Sequence, residues 1–385
     1  MLIPSDDLFA APGDGKPMIL RRAKHLFGVA IGATAAAALA ASGPHAGSPV
    51  RLAQIEQPAP LLSPTTFAPQ APSYIRDRIA QLGAGFNGRI GIAVRSVDDG
   101  WQTGWHADEL YPQQSVSKLW VAITAMDAID RGEVHLTDPV TLTRSDLTLF
   151  HQPIAAAILR KGAETTTLAR LLHDAITMSD NTCNDKLMRS VGGPTAVREM
   201  IAHKGLGSIR FYDGERALQS KIAGVMWSPS FSVGSGFERA RNALPLSLRR
   251  SLLQRYIDDP YDGAAPASVV KALARLKKGQ LLSPSSTTYL LNTMGNTKTG
   301  RNRLKGGLEP GWSLSHKTGT GQVLGSVQAG YNDIGVITGP DGRSYAIAVM
   351  IKQTTTPLIT RMNLMNEVVR SVIRQHDMGS ENATL

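Results

Sequence analysis

The chain has 385 residues, 42% hydrophobic and 19% charged, enough to bury a sizeable core as one large domain or two smaller ones. Its formal net charge of +10 raises nucleic acid and membrane surfaces as partners. The basic residues are scattered, however, with no run interleaved with aromatics, so the expectation is a solvated basic surface and no nucleic-acid partner.

The single cysteine, Cys183, excludes an intrachain disulfide and sits in a helical pattern, as a small buried hydrophobe does. No Cys/His cluster has metal-ligand spacing, and neither a metal nor another cofactor is expected.

In chain order, Arg21, Arg22 and Lys24 precede an uncharged, Ala-rich stretch from Leu26 to Ala41. A basic segment, a short apolar segment and small residues after it read as an export signal, with Ala38-Leu39-Ala40 or Pro44-His45-Ala46 as cleavage sites. The stretch is short for a membrane span; an uncleaved anchor stays open as the alternative, and no cysteine follows for a lipid anchor. The seventeen residues before Met18 do not fit a signal, so translation is expected to start at Met18 and the product to be periplasmic or secreted. Residues 1–46 are therefore read as extension and signal. Residues 47–72 are read as a linker, within a tract carrying seven prolines from Pro44 to Pro72.

A folded domain is expected over 73–385. Ile75, Ile79 and Leu82 have helical spacing. Ile90–Val97 reads as a strand, paired through Asp98-Asp99-Gly100 with Thr103-Gly104-Trp105. Ser115-Val116-Ser117-Lys118 opens a helix whose apolar stripe is Leu119, Ile123, Met126 and Ile129, and Gly132 ends it. Leu168, Leu171, Leu172, Ala175 and Ile176 mark the clearest helix. It stops at Ser179-Asp180-Asn181, and another helix runs on to Ser190. Helices follow at Ala267–Lys278 and Pro284–Met294. Leu324–Ala329, Ile334–Ile337 and Tyr345–Ile351 read as strands, the last two separated by Pro340-Asp341-Gly342, and Ile359–Ile373 reads as a closing helix. The order predicts an α/β (α+β) fold: an antiparallel sheet built from both chain ends and flanked by helices, plus a mostly helical lobe. A cleft between the lobes is the natural place for a site.

Ser115 and Lys118 share one face at a helix start. A hydroxyl needs a base beside it to become a nucleophile, and a desolvated lysine can serve; the helix start also offers N–H groups to an oxyanion. Alone, S-x-x-K is equally a serine cap with an exposed lysine. Ser179-Asp180-Asn181 and Lys317-Thr318-Gly319 complete an ordered set, S-x-x-K, S-D-N and K-T-G, shared by class A β-lactamases and penicillin-binding proteins.

From about Ser73 onward the chain resembles class A β-lactamases, with the β-lactamase/transpeptidase-like fold. Tyr111-Pro112, Asn181-Thr182, Leu281-Leu282-Ser283, Gly307-Leu308-Glu309-Pro310-Gly311-Trp312, Lys317-Thr318-Gly319-Thr320-Gly321 and Asn332-Asp333-Ile334 carry the resemblance. It implies that Ser115 attacks a lactam carbonyl while Lys118 takes its proton, and that Ser179 relays a proton to the departing nitrogen. It implies that Asn181 holds the substrate's side-chain amide, that Lys317 and Thr318 bind its carboxylate side, and that the N–H groups of Ser115 and Thr320 form the oxyanion hole. Glu215, in Glu215-Arg216-Ala217-Leu218-Gln219, falls where the family has its deacylating base, with Gln219 orienting the water in place of the usual Asn. The plain alternative for Glu215 is a solvated loop carboxylate. The chain departs from the family at Asp213, where Arg is usual, at Arg216, where Pro is usual, and in an insertion at about 220–265 that either covers the cleft or packs outside it. Arg303 stands where some members place a carboxylate-binding arginine, or is an ordinary surface residue.

The implied activity is β-lactam hydrolysis by a monomer through a serine acyl-enzyme, with a β-lactam as the small-molecule partner. The alternatives are a penicillin-binding-type peptidase or esterase and a non-catalytic peptidoglycan-binding module.

Overall fold

The computed structural model describes residues 69–383. The expected signal, and all of the linker before residue 69, lie outside these residues. The sheet has six strands: β1 (Arg89–Ser96), β2 (Gln102–Trp105), β3 (Ser313–Thr320), β4 (Val323–Leu324), β5 (Val327–Thr338) and β6 (Ser344–Thr354). Their order is β2-β1-β6-β5-β3, with β4 paired to β5, and every pairing is antiparallel. Strands from both ends of the domain therefore share one sheet, as the sequence predicts.

Alternation along the strands explains why the sheet is covered on both faces. On β6, Ala346, Ala348 and Met350 pack with Ile334 and Val336 into the core of the helical lobe. Tyr345, Ile347, Val349 and Ile351 point the other way, onto Ile75 and Ile79 of helix Ser73–Ala84 and Met365, Val368, Val369 and Val372 of helix Leu358–Ala383.

The helix expected after Ser115 spans Lys118–Asp130, preceded by a 3₁₀ turn over Gln114–Ser117. In place of an amphipathic stripe, it is buried nearly all round: Leu119, Trp120, Val121, Ala122, Ile123, Ala125 and Met126 are all inside, because it is the central helix of its lobe. Helices Leu168–Thr177 and Asn181–Ser190 flank it, joined at Ser179-Asp180 as expected. Two sequence expectations are corrected. Leu324–Ala329 is not one strand, because Gly325 at φ +61° turns the chain between β4 and β5. Ser313–Thr320, which carries the K-T-G motif, is itself a strand, although its polar residues hide the pattern.

Between Glu215 and Ala265 the structure forms helices Glu215–Ala223, Gly236–Asn242 and Leu246–Asp258. This segment leaves and re-enters the domain at one place. The Arg210 N–H donates to the Gly263 carbonyl at 2.7 Å, the Ala265 N–H donates to the Ser208 carbonyl at 2.9 Å, and Ile209 bridges Ala264. Gly263–Ala264 also pairs with Tyr111–Pro112, which sets the returning end beside the chain entering the nucleophile turn.

Candidate active site

Ser115 sits in the 3₁₀ turn, partly open to solvent, and Lys118 is the first residue of the buried helix. Lys118 Nζ donates to Ser115 Oγ at 2.6 Å. Burial pulls the Lys118 pKa below its ordinary value, while Glu215, Asp185 and Asp180 oppose that pull. A lysine so placed can accept a hydroxyl proton, and the reading of an exposed lysine is excluded.

Helix Asn181–Ser190 presents Asn181 and Asp185, four residues apart on one face, toward Glu215. Asn181 Nδ2 donates to Glu215 Oε1 at 3.1 Å and to the Leu149 carbonyl at 2.8 Å. Both Asp185 carboxylate oxygens accept from the Glu215 N–H at 3.1 Å. This caps the helix Glu215–Ala223 from outside, since its own N-cap, Gly214, has no side chain to do so. Gly214 has φ +89°, and a Cβ there would meet Met188 Cε at 2.9 Å and Asp185 Oδ2 at 3.1 Å. Only glycine brings the two segments this close. Burial raises the Glu215 pKa, with the Lys118 charge pulling against it and a bond from Gln219 lowering it further. Glu215 is thus a half-buried carboxyl bonded to Asn181, not a solvated loop residue.

Ser179 adopts φ +59°, a left-handed conformation rare outside glycine. Lys317 Nζ donates to Ser179 Oγ at 2.9 Å and to the Thr318 carbonyl at 2.9 Å. Lys317 is fully buried, and desolvation, reinforced by the nearby Lys118 charge, lowers its pKa strongly. Thr318 Oγ1 lies 2.7 Å from Thr299 Oγ1. The strand carrying these residues packs directly on the nucleophile turn: a Cβ on Gly319 would fall 2.2 Å from the Gln113 carbonyl oxygen. This is why the motif ends in glycine. Thr320 follows, exposed at the strand end.

Arg303 is neither a surface arginine nor a free arm. It is 4% exposed, its Cζ lies 3.8 Å from the centre of the Tyr331 ring, and it donates to the Gly319 carbonyl at 3.2 Å, the Asn332 carbonyl at 2.8 Å and Thr320 Oγ1 at 2.7 Å. It thereby fixes the Thr320 hydroxyl. Cys183 is buried, and burial pushes its thiol pKa up, which keeps it an inert thiol.

Residues beyond the sequence reading complete the site. Asp262 Oδ2 accepts from the N–H of Gln114, the residue before the nucleophile, at 2.7 Å. Tyr256 donates its hydroxyl to Asp262 Oδ1 at 3.0 Å and accepts from Gln114 Nε2. Gln219 Nε2 donates to Gln114 Oε1 at 2.9 Å, and Gln322 Nε2 donates to Gln219 Oε1 at 2.8 Å. Gln114 was detectable by its place beside Ser115, and Asp262 by the Asp262-Gly263 turn pair. Tyr256 carries no sequence signal.

The inserted segment packs against helix Glu215–Ala223 and the Leu149–Phe150 segment. Leu253, Tyr256 and Ile257 join Leu218 and Ile222, while Phe237, Phe231 and Trp227 gather around Leu149 and Phe150. Asp213, in the place of the family's arginine, pairs with Arg198 at 2.8 Å on the surface. Arg216 reaches across to the Leu147 and Ser145 carbonyls at 2.6 Å and 2.5 Å, and lies over the Trp227 ring.

Residues 74–375 match the model of the β-lactamase enzyme family. The chain belongs to that family. The β-lactamase PER-1 of Pseudomonas aeruginosa is 28% identical over 317 residues, covering 81% of this chain and 90% of that protein. VEB-1, also from Pseudomonas aeruginosa, is 26% identical over 269 residues, covering 70% and 79%. Among solved structures, an ancestral class A β-lactamase superposes with a TM-score of 0.61 at 26% identity, over 78% of this chain and 99% of that one. The TLA-3 extended-spectrum β-lactamase superposes with a TM-score of 0.65 at 24% identity, over 78% and 98%, and attests the fold alone. As a β-lactamase-family protein the chain is a serine hydrolase, and its Ser115–Lys118, Ser179–Lys317 and Asn181–Glu215 pairs lie within electrostatic reach of one another.

Proposed function

We propose that this enzyme hydrolyses β-lactams through an acyl-enzyme on Ser115. The observation that carries the proposal is that one helix face, Asn181 and Asp185, holds Glu215 within the electrostatic reach of Lys118, which itself bonds the nucleophile. This supports a reading in which the acylating and deacylating groups act on one bound substrate.

Ser115 Oγ attacks the lactam carbonyl and its proton passes to Lys118 Nζ. The carbonyl oxygen develops negative charge against the N–H groups of Ser115 and Thr320. As the ring C–N bond breaks, the nitrogen takes a proton through Ser179, which is coupled to Lys317. Glu215, with Gln219 beside it, then removes a proton from water as that water attacks the ester. Ser115 leaves with a proton and the product is the ring-opened acid. Asn181, Lys317 and Thr318 hold the substrate's amide and carboxylate sides, with Arg303 keeping Thr320 in place.

The test is intact-mass spectrometry after mixing with a penicillin, alongside steady-state hydrolysis of a chromogenic cephalosporin. The wild type should turn over and show no lasting adduct. Glu215→Gln should still acylate but release the adduct roughly 10²–10⁴-fold more slowly, the range for losing a general base. A wild-type adduct as long-lived as the variant's would instead mark a penicillin-binding-type enzyme. No adduct in either would mark a binding module.

A further inference from the structure

The residue before the nucleophile is held in an unfavourable conformation by three partners, two of them, Tyr256 and Asp262, on the inserted segment. Gln114 has φ +54°, a region that non-glycine residues occupy only where the surroundings dictate it. Its N–H is taken by Asp262, its side-chain N–H₂ by Tyr256 and its side-chain carbonyl by Gln219. These three residues lie on the excursion between Arg210 and Gly263.

We propose that Tyr256, supplied by the insertion, is a positioning residue that fixes the nucleophile turn; the inference rests on the serine-hydrolase reading of Ser115. The bonds close a ring in which Gln114 donates at both ends and Asp262 accepts at both. The Gln114 amide donates to the Tyr256 oxygen, the Tyr256 hydroxyl donates to Asp262 Oδ1, and Asp262 Oδ2 accepts the Gln114 backbone N–H. Tyr256 accepts one bond and donates one, so it forces the Gln114 amide to present N–H₂ to it and the carbonyl to Gln219. That carbonyl then receives the Gln219 amide, whose own oxygen accepts from Gln322. The orientation of the Gln219 amide, which bonds Glu215, is thereby set as well. The Gln114, Tyr256, Asp262, Gln219 and Gln322 side chains are all buried, where an unpaired polar atom is costly. The insertion is thus more than an outer layer. It supplies the hydroxyl that joins the start of the nucleophile turn to the water-activating side of the cleft.

The Tyr256 ring packs among Leu218, Ile222, Leu253, Ile257 and Ala329, contacts that phenylalanine preserves. Tyr256→Phe should therefore fold and melt within a few degrees of the wild type, yet acylate more slowly. With a fluorescent penicillin at saturation, acylation should fall roughly tenfold, the effect of stranding buried hydrogen-bonding partners. The substrate concentration at half-saturation should change little, because the loss lies in the chemical step. Gln114→Met, which removes the other end of the same bond, should give a similar loss. The double variant should lose scarcely more than either single one. Tyr261→Phe, a neighbouring ring outside this hydrogen-bond ring, should acylate as the wild type does. Acylation of Tyr256→Phe within twofold of the wild type overturns the proposal, as do losses that simply multiply in the double variant. Equal slowing in Tyr261→Phe also overturns it, since the segment's stability would then be the cause. If the wild type itself takes up no label, the serine-hydrolase reading fails instead.

Discussion

Ser115 meets Lys118 three residues along one turn, whereas Gln114, the very next residue back, meets Tyr256 at a separation of 142 residues. The two sides of the nucleophile turn are thus built in different ways. On the motif side, charged and polar groups sit at helical or strand spacing, and the secondary structure alone brings them together: Ser115 to Lys118, and Asn181 alongside Asp185. On the insertion side, neutral amides, a phenol and a carboxyl form a closed hydrogen-bonded ring that exists only because residues 211–262 leave and return at one pinch. The comparison separates chemistry, carried by short spacing, from placement, carried by long-range packing.

The largest expected effect breaks the motif side alone. Ser115→Ala should abolish covalent labelling by a fluorescent penicillin, while thermal melting stays close to that of the wild type, because Ser115 bonds Lys118 and the insertion ring bonds Gln114. Labelling that persists would remove Ser115 as the nucleophile. A collapse of the fold would mean that the two sides are not separable.

The second prediction probes the insertion side by pH. Burial pushes the Asp262 carboxyl up to about 6 from an ordinary 3.8, against the bonds it accepts from Gln114 and Tyr256. A carboxyl whose folded pKa is raised contributes stability that is present in full below its unfolded pKa and lost as pH rises through the folded value. For Asp262 that window runs from about 4 to above 6. Two pKa units correspond to about 3 kcal/mol. The stability of the wild type minus that of Asp262→Asn should therefore fall by up to about this amount between pH 4 and 7, measured by urea unfolding. Other titrating groups cancel in the difference. A flat difference would place Asp262 in a wetter environment than its burial implies.

These two sides also differ in how far they can be read from sequence. The Ser115–Lys118 spacing, the Leu168–Ile176 periodicity, the β1–β2 hairpin and the apolar run of β6 are local patterns, and each has its counterpart in the structure. The strand Ser313–Thr320 escaped because Ser315, His316, Lys317 and Thr318 are polar and yet mostly buried, so hydropathy does not alternate along it. The run Leu324–Ala329 misled because its apolar residues continue across the Gly325 turn. Arg303 passes as an ordinary surface residue in sequence, since nothing local reveals that Tyr331 and two main-chain carbonyls enclose it. Tyr256 is invisible for the same reason: its partners are determined by where the insertion re-enters, at Gly263–Ala264 beside Tyr111–Pro112.

The smallest expected effect sharpens the comparison at the junction of the two sides, at Arg216. This residue follows Glu215 directly and stands where the family usually has proline. Its guanidinium bonds the Ser145 and Leu147 carbonyls and lies 4.9 Å from the centre of the Trp227 ring. The segment it grips also supplies the Leu149 carbonyl that holds Asn181. Arg216 therefore ties the first turn of helix Glu215–Ala223 to the segment that orients the Glu215 partner. Because the group is half-exposed, water can replace part of what it provides, so Arg216→Ala should cost about 1–1.5 kcal/mol, the low end for charged hydrogen bonds. The kinetic consequence should be uneven. Deacylation depends on where Glu215 stands and should slow a few-fold, while acylation depends on Ser115 and Lys118 and should not change. Lysine lacks the planar fork that spans two carbonyls, so Arg216→Lys should recover less than half of the lost stability. Denaturant unfolding, with acylation and deacylation rates measured separately, checks all three expectations. Equal slowing of both steps would show that Arg216 braces the whole cleft and that the boundary between the two sides does not run through this residue.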